Sequence, residues 1–332
     1  MPISRIADID SDELSEEEVQ VETSLRPGGF AQVVGREREK KTLQMMIKAA
    51  HSKNEALDHV LFHGPPGLGK TSLAHVLARE MGVGIHVTSG PAIEKQGDLA
   101  AILTGLESRS ILFIDEIHRL NRNIEEILYP AMEDGVLDIV VGKGTGAKTM
   151  RIDLEPITIV AATTRVGLIS KPLLDRFGID FRLDFYGFNE MVELVMQKAS
   201  LLEINLDQNT AELVATRSRK TPRIAVRILK RIRDNALASE VKSVDLALVA
   251  ETLELLGIDE LGLDYLDRKI LETIIKNFAG GPVGLKSVAA ALSEEVNTIS
   301  DVYEPYLLQE GFLERTARGR IATDRAIKHL GL

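Results

Sequence analysis

The segment HVLFHGPPGLGKTSLAHVLA, residues 59–78, joins an apolar run to an amphipathic stretch through a glycine-rich turn. The fixed positions of the G-x-x-x-x-G-K-T pattern are held by Gly64, Gly69, Lys70 and Thr71. Glycines allow backbone N–H groups to surround phosphate oxygens, and the helix N-terminus adds a favourable dipole. We expect Lys70 to reach the β- and γ-phosphates and the Thr71 hydroxyl to bind Mg²⁺. A glycine-rich surface turn is the alternative, but the flanking strand and helix patterns favour a phosphate site.

A short buried strand that ends in two carboxylates is predicted downstream, in SILFIDEIH, residues 110–118. Parallel strands deliver the residues at their carboxyl ends to the ligand-binding edge of a sheet. We therefore expect Asp115 to support Mg²⁺ and Glu116 to polarise the attacking water. A solvated strand end is the alternative for such a pair, and the phosphate loop upstream favours the catalytic interpretation.

Further polar residues are candidates for contact with the γ-phosphate. The strand pattern ITIVAATTR ends in Thr163 and Thr164, whose hydroxyls either sense the phosphate or simply cap the strand. Arg176, in LLDRFGI, is either an arginine finger that stabilises charge on the phosphoryl group or a surface ion pair. Arg223 follows a Thr-Pro turn at a predicted helix start. It is either a nucleotide contact or part of a solvated basic face.

The order of the predicted elements indicates the fold class. Candidate strands at residues 59–62, 84–88, 110–114, 157–163 and 181–185 alternate with helical patterns, which predicts a parallel sheet flanked by helices. Strand signals stop after residue 185, where apolar residues recur at helical spacing and predict a small helical domain. The last 75 or so residues read as two or three helices and a hairpin at 311–323, the order of a winged helix.

Composition restricts the classes of protein and site that fit this chain. The sequence has no cysteine, which excludes disulfides and thiolate metal sites, and it has no apolar run long enough to span a bilayer. We therefore expect a cytoplasmic protein without a membrane contact. The formal net charge of −10 argues against general affinity for nucleic acid, so any DNA contact has to be local. Residues 1–24 contain eight acidic residues and predict a disordered acidic tail.

Many ordered fragments of the chain match one family. These are LRPGGFAQVVGR, HGPPGLGKT, LFIDEIHRLN, LYPAMEDG, LLDRFGI, TPRIAVRIL and EGFLERTARGR. Together they resemble the RuvB family of Holliday junction branch migration ATPases over all but residues 1–24. The resemblance implies an α/β P-loop AAA+ ATPase domain at 25–184, a small all-helical lid at 185–256 and a winged-helix, DNA-binding head at 257–332.

The resemblance also implies ligands, partners and residues. Members of the family bind ATP and Mg²⁺, form homohexameric rings on duplex DNA, and work with a RuvA-type junction-binding protein and a RuvC-type resolvase. The implied ATP-binding residues are Leu25, Arg26, Gly64, Gly67, Gly69, Lys70, Thr71, Ser72, Glu133, Asp134, Gly135, Arg176, Tyr186 and Arg223. The implied catalytic set is Lys70, Asp115, Glu116, Thr164 and Arg176, with Thr71 and Asp115 on the metal. Arg176 matches the finger that reaches a neighbouring subunit's site.

Two hairpins complete these expectations. Residues 137–141 and 150–154 alternate apolar and charged side chains, and Met150 and Ile152 match the positions that dock the RuvA-type partner. In the wing, Arg315, Arg318 and Arg320 concentrate positive charge, which suits either phosphate contact or solubility. Arg315 and Arg320 also match the family's DNA-contacting arginines. The chain departs from the usual pattern at Ala317, Lys220 and Val296.

The expected function is ATP-driven branch migration of Holliday junctions in recombination and repair. One rival is a nucleotide-switched scaffold, such as a clamp-loader-like or winged-helix regulatory AAA+ protein that binds DNA without sustained translocation. Another is a protein-remodelling AAA+ ATPase, which predicts an aromatic pore loop and a substrate-capture domain. Neither of those features is recognisable in the sequence.

Overall fold

The computed structural model describes residues 25–141, 148–241 and 243–332. This part of the chain forms two compact units, one of Pro27–Gly64 and Leu68–Asp184, the other of residues 25–26, 65–67 and Phe185–Leu332. The predicted acidic tail and the glycine-rich tip of the first hairpin lie outside the described residues. No helix in the described ranges is long and apolar enough to cross a membrane.

A parallel sheet forms the centre of the first unit. Its strands are β1 Val60–His63, β2 Ile85–Ser89, β3 Ile111–Asp115, β6 Thr158–Thr163 and β7 Ile179–Arg182. They pair in the order β2-β3-β6-β1-β7, and each neighbouring pair is parallel. The central strands β3 and β6 are almost continuously apolar and buried, as strands covered on both faces must be. Their carboxyl ends therefore meet at one edge of the sheet, beside the end of β1.

Helices and one antiparallel hairpin surround this sheet. They are α1 Glu37–Lys53, α2 Lys70–Met81, α3 Gln96–Thr104, α4 Arg122–Glu133, β4 Val136–Val141, β5 Lys148–Asp153 and α5 Lys171–Leu174. One apolar cluster joins α3 and α4 to a face of the sheet, with Leu99, Leu128 and Ile159 fully buried. This packing holds the carboxyl edge of β3 and β6 in place.

The last strand begins and ends earlier than the sequence predicted. Its apolar alternation suggested residues 181–185, whereas β7 is Ile179–Arg182. The reason is its partner: β1 pairs with β7 from Val60 to His63 and then turns at Gly64, so the ladder ends where His63 meets Arg182. Side-chain alternation continues beyond that point without a strand to pair with.

The second unit contains a helical part and a winged-helix part. The helical part has α6 Phe188–Leu201, α7 Gln208–Arg217, α8 Pro222–Ala238 and α9 Leu246–Leu255; the rest has α10 Tyr265–Asn277, α11 Leu285–Leu292, α12 Val296–Thr298, α13 Glu304–Gln309, β8 Leu313–Thr316, β9 Gly319–Ala322 and α14 Asp324–Leu330. A π-helical turn, Ile299–Tyr303, separates α12 from α13. We call these two parts the lid and the head. Because the π-helical turn continues the helix on both sides, the head has three uninterrupted helical stretches before its hairpin, within the two or three predicted.

Candidate active site

The phosphate loop between β1 and α2 requires glycine at its first fixed position. Gly64 has φ +139°, and a Cβ atom there would lie 2.3 Å from the carbonyl oxygen of Leu183. Its N–H donates to the carbonyl oxygen of Thr163 at 3.2 Å, which anchors the loop to the end of β6. Gly69, with φ +87°, precedes the first residue of α2. The loop therefore leaves the sheet at its carboxyl edge and turns directly into a helix, as the pattern predicted.

Lys70, Thr71 and Asp115 lie together at this edge. Lys70 is buried, and its Nζ donates to the carbonyl oxygen of Gly64 at 2.9 Å. The Thr71 hydroxyl donates to Asp115 Oδ2 at 3.4 Å, while Ser72 follows in the first turn of α2. A hydroxyl and one carboxylate fit Mg²⁺, because this ion usually takes few protein ligands and completes its shell with phosphate oxygens and water. Within the described ranges no three His, Asp or Glu side chains form an independent metal site.

Glu116 stands at the edge of the sheet in a constrained conformation. Its φ is +48°, uncommon for a residue with a side chain, and its N–H donates to Asp115 Oδ1 at 2.9 Å. The Thr164 hydroxyl donates to Glu116 Oε2 at 3.2 Å. The residue that follows strand β6 thus makes a direct contact with the carboxylate that was predicted to activate water.

His118 is a member of this cluster that the sequence reasoning missed. Its Nδ1 lies 3.0 Å from Glu116 Oε2 and 2.9 Å from the Thr163 hydroxyl. A 3-10 turn, Ile117–Arg119, brings the imidazole back toward the strand end. The sequence signal was only a histidine two residues after a candidate base. That spacing indicates a contact only once the turn is known.

Arg176 belongs to a second cluster. Its guanidinium donates to the carbonyl oxygen of Pro172 at 2.7 Å and to Glu133 Oε2 at 2.6 Å, and lies 4.6 Å from the centre of the Tyr129 ring. Glu133 ends α4, and Asp134 and Gly135 follow it directly. The contacts of Arg176 are with α4 and α5 and not with the residues around Glu116.

The remaining predicted nucleotide residues lie in the second unit. Leu25 is buried, and its carbonyl oxygen accepts a hydrogen bond from Lys198 Nζ at 2.8 Å; Arg26 follows it. Tyr186 is also buried, and its N–H donates to the carbonyl oxygen of Lys220 at 3.1 Å. Near the start of α8, the Arg223 N–H donates to the carbonyl oxygen of Gly67 at 3.3 Å, and both residues belong to this second unit.

The wing arginines differ in their surroundings. Arg315 and Arg318 are exposed, whereas Arg320 is half-buried and forms a two-bond ion pair with Glu304, with Nε–Oε1 and Nη2–Oε2 distances of 2.7 and 3.1 Å. Only 4% of the Glu304 side chain is exposed. Arg320 therefore has a structural partner inside the head that the sequence did not reveal.

The two candidate docking residues, both on β5 of the β4–β5 hairpin, differ in their exposure. Met150 pairs with Ile139 and is half exposed. Ile152 pairs with Leu137, and it is partly buried against the apolar cluster of the first unit. Of the two, Met150 is the side chain that is available to a partner.

Comparisons with known proteins agree along the described chain. Residues 25–183 match the Holliday junction DNA helicase RuvB P-loop domain, 186–259 the RuvB AAA lid domain and 260–331 the RuvB C-terminal winged helix domain. The Holliday junction branch migration complex subunit RuvB of Dehalococcoides mccartyi (strain CBDB1) is 55% identical over 97% of this chain and 92% of its own length. That of Kosmotoga olearia is 55% identical, with coverage of 95% and 92%. The solved Thermotoga maritima RuvB Holliday junction branch migration motor is 51% identical, with a TM-score of 0.85 and coverage of 93% and 98%.

Proposed function

The chain belongs to the RuvB family of Holliday junction branch migration ATPases, and from this membership we propose how its residues share ATP hydrolysis and DNA movement. It is an ATP-hydrolysing motor of branch migration, which confirms the predicted family, fold class and activity. We propose the domain limits 25–184, 185–256 and 257–332, preceded by an acidic segment at 1–24. The observation that supports the residue roles best is the contact set around Glu116 at the carboxyl edge of the sheet.

The first cluster suits hydrolysis at the γ-phosphate. Lys70 neutralises phosphate charge, while Mg²⁺ held by Thr71 and Asp115 would supply further positive charge to the β- and γ-phosphates. Glu116 orients and polarises the attacking water. Thr164 is bonded to the same carboxylate, so its hydroxyl links the position of Glu116 to the γ-phosphate beside it. These roles need the geometry of one subunit only.

The second cluster suits a role in a neighbouring subunit. Arg176 and Glu133 face each other in an ion pair, and neither contacts the cluster around Glu116 in the described part of the chain. A guanidinium that completes a site in trans has to project from a different surface of its own subunit. We therefore propose a homohexameric ring in which Arg176, with Glu133, Asp134 and Gly135 beside it, faces the next subunit's nucleotide.

We propose that Leu25, Arg26 and Tyr186 hold the adenine and ribose end, and that Arg223 approaches the phosphates. The hydrogen bond from Arg223 to Gly67 supports this role, because Gly67 is itself a residue of the phosphate loop. Gly69 and Ser72 complete the phosphate contacts through their backbone N–H groups, whereas Gly64, whose N–H is bonded to Thr163, contributes the turn that the loop requires.

The head binds duplex DNA through phosphates, and the wing arginines are expected to differ in effect. Replacing Arg315 or Arg318 with Ala should lower the slope of log affinity against log salt by about 0.9 each, because each neutralises one phosphate. Arg320→Ala should instead cost about 3–5 kcal/mol of stability, because Glu304 is left buried and unpaired. Salt-dependent DNA binding and urea unfolding measure the two effects.

The matched control is Lys328→Ala, an exposed cation of the head outside the wing. A loss of salt slope equal to that of Arg315→Ala would show that the wing has no special role. An Arg320→Ala protein of unchanged stability would contradict the structural assignment of Arg320.

A RuvA-type partner is proposed to dock on the hairpin through Met150. With that partner, the full-length protein should move a synthetic four-way junction in the presence of ATP and Mg²⁺, and Met150→Glu should lower this movement at least about tenfold by burying a charge in an apolar contact. ATP hydrolysis without the partner should be unchanged. The matched control is Met45→Glu, at a methionine on α1 that is 63% exposed, against 50% for Met150.

The outcome of this assay separates the rival functions. ATP hydrolysis stimulated by DNA, but without junction movement in the presence of partner, would favour a clamp-loader-like switch. If Met45→Glu lowers junction movement as much as Met150→Glu does, the hairpin is not the docking site of the partner. The RuvC-type resolvase is a further proposed partner that acts on the same junction, and its recruitment is measured by junction cleavage in the complete mixture.

A further inference from the structure

The loop between α7 and α8, residues 218–221, belongs to the same compact unit as residues 65–67 of the phosphate loop and the head. On one side it leads directly into Pro222 and Arg223, and the Arg223 N–H is bonded to Gly67 of the phosphate loop. On the other side Arg219 and Lys220 contact the head. These two residues have φ of +49° and +54°, a conformation that disfavours side chains. The strained backbone turns both cations toward the head.

Arg219 is tied to the first turn of the head's first helix. Its Nε donates to the carbonyl oxygen of Gly262 at 2.9 Å, and its Nη2 lies 2.6 Å from Asp264 Oδ2 and donates to Asp267. Asp264 and Asp267 form the capping box of α10, with each side chain accepting from the other's backbone N–H. Arg219 therefore holds the residues that set where α10 begins.

Aromatic rings cover the same guanidinium. The ring centres of Tyr303 and Tyr306 are 5.8 and 5.7 Å from it. Tyr303 ends the π-helical turn, a distortion that is frequent at functional positions, and Tyr306 donates its hydroxyl hydrogen to the carbonyl oxygen of Leu261 at 2.9 Å. One lid side chain thus contacts two separate segments of the head, residues 262–267 and 303–306.

Burial and neighbouring charges shift the pKa values of the groups in this contact. Burial by itself lowers the pKa of Arg219, but Asp267 and Asp264 raise it overall, so the guanidinium stays protonated. Burial raises the pKa of the Asp267 carboxyl well above its usual range. Separating buried partners leaves uncompensated charge, so the lid and the head are expected to move together at this point.

Lys220 supplies a second, more accessible contact. Its Nζ lies 2.5 Å from Glu310 Oε1, at the end of α13, and 41% of the Lys220 side chain is exposed. The Lys220 carbonyl oxygen accepts the Tyr186 N–H, so the backbone of this residue is bonded to the lid while its side chain is bonded to the head.

We propose that Arg219 and Lys220 are positioning residues that transmit the nucleotide state of the phosphate loop to the DNA-binding head. Arg219 and Arg223 are four positions apart along the chain, a reach of at most about 14 Å. If nucleotide displaces Arg223, we therefore expect Arg219 and Lys220 to move with it, and with them the start of α10 and the end of α13. The cleft beside the loop supports this path, because Pro66, Gly67, Arg223, Tyr303 and Pro305 all line it.

The inference rests on the proposed function, and its test has a readout that does not need junction movement. In the full-length protein, hydrogen exchange of the backbone N–H groups of Leu266 and Asp267 is measured with ADP and with a slowly hydrolysed ATP analogue. We expect the exchange rates to differ between the two nucleotides in the wild type, and Lys220→Gly and Glu310→Gln to reduce that difference about threefold to tenfold, as for residues that couple two sites.

Activity provides the second readout. Junction movement per ATP hydrolysed should fall about threefold to tenfold in both variants, while hydrolysis without DNA stays within about twofold of wild type. The double variant should be no worse than either single one, since both remove the same ion pair. Lys220→Arg should keep most of the wild-type exchange difference and of the junction movement per ATP, because arginine keeps the positive charge at this position.

Controls separate coupling from backbone effects. Glu240→Gly makes the same type of change at φ +53° in the turn after α8, where the Glu240 N–H bonds within the lid. It should leave both readouts unchanged. Exchange at α10 that does not respond to nucleotide in the wild type, or that responds equally in the variants, overturns the coupling role. If exchange at α10 responds to nucleotide in the wild type and less so in the variants, but the protein moves no junction, the proposed function is overturned and the coupling role is kept.

Discussion

An Arg176→Ala variant is expected to hydrolyse ATP about 10³–10⁵-fold more slowly than the wild type, in the presence of the partner and junction DNA. The arginine finger stabilises negative charge that develops on the transferred phosphoryl group, so its loss raises the barrier without removing the nucleotide's own binding site. Affinity for ATP should therefore change much less than kcat. Single-turnover hydrolysis and nucleotide binding, measured on the same preparation, check both statements.

Arg182→Ala is the matched control, because Arg182 is an exposed arginine of the same unit that pairs with Asp184. It should leave hydrolysis unchanged. An Arg176→Ala protein with kcat within about tenfold of wild type would remove Arg176 from the catalytic set, since fingers contribute far more than that. Its contacts with Glu133 and Tyr129 would then be structural only.

Glu116→Gln is expected to lower kcat about 10²–10⁴-fold, the usual contribution of a positioned acid–base group. Glutamine keeps the size of the side chain and still accepts a hydrogen bond from Thr164, so ATP binding should be retained. Rapid-quench hydrolysis together with retention of bound ATP measures the result. Glu126→Gln, a change to an exposed glutamate on α4, should have no effect.

Mixing the two inactive proteins tests whether the site is shared between subunits. In a ring assembled from equal amounts, about a quarter of the subunit junctions join an intact Glu116 to an intact Arg176 from the neighbour. Hydrolysis should then recover to a measurable fraction of wild type. No recovery, in mixtures shown to contain both chains in one ring, would place Arg176 and Glu116 in a single subunit's site or require every site to act together.

The local parts of the site were predictable because consecutive residues form them. The glycines of residues 64–69 and the cations and hydroxyls of residues 70–71 follow one another along the chain, so their pattern implies their geometry. Asp115 and Glu116 were predictable for a related reason, since a buried apolar strand delivers its last residues to one edge of the sheet. The family resemblance then added residues such as Tyr186, whose roles no local pattern indicates.

Contacts between distant residues were not predictable in the same way. Arg320 appeared as one of three wing cations, but Glu304, 16 positions earlier, occupies its guanidinium. His118 was an ordinary polar residue until a 3-10 turn returned it to Glu116. Each of these partners depends on the packing of whole elements, which hydrophobic periodicity describes only in outline.

The difference between the features that the sequence predicted and those that it did not has a physical cause. Short-range sterics and hydrogen bonding along the chain decide the phosphate loop, the buried strands and the helix starts, so the sequence alone was sufficient to identify them. Pairing of charged side chains depends on long-range packing and on burial, which make a contact such as Arg219 with Asp264 and Asp267 favourable only inside the folded unit. Tertiary structure therefore decided which cations pair with carboxylates inside the folded unit and which, such as Arg315, remain exposed.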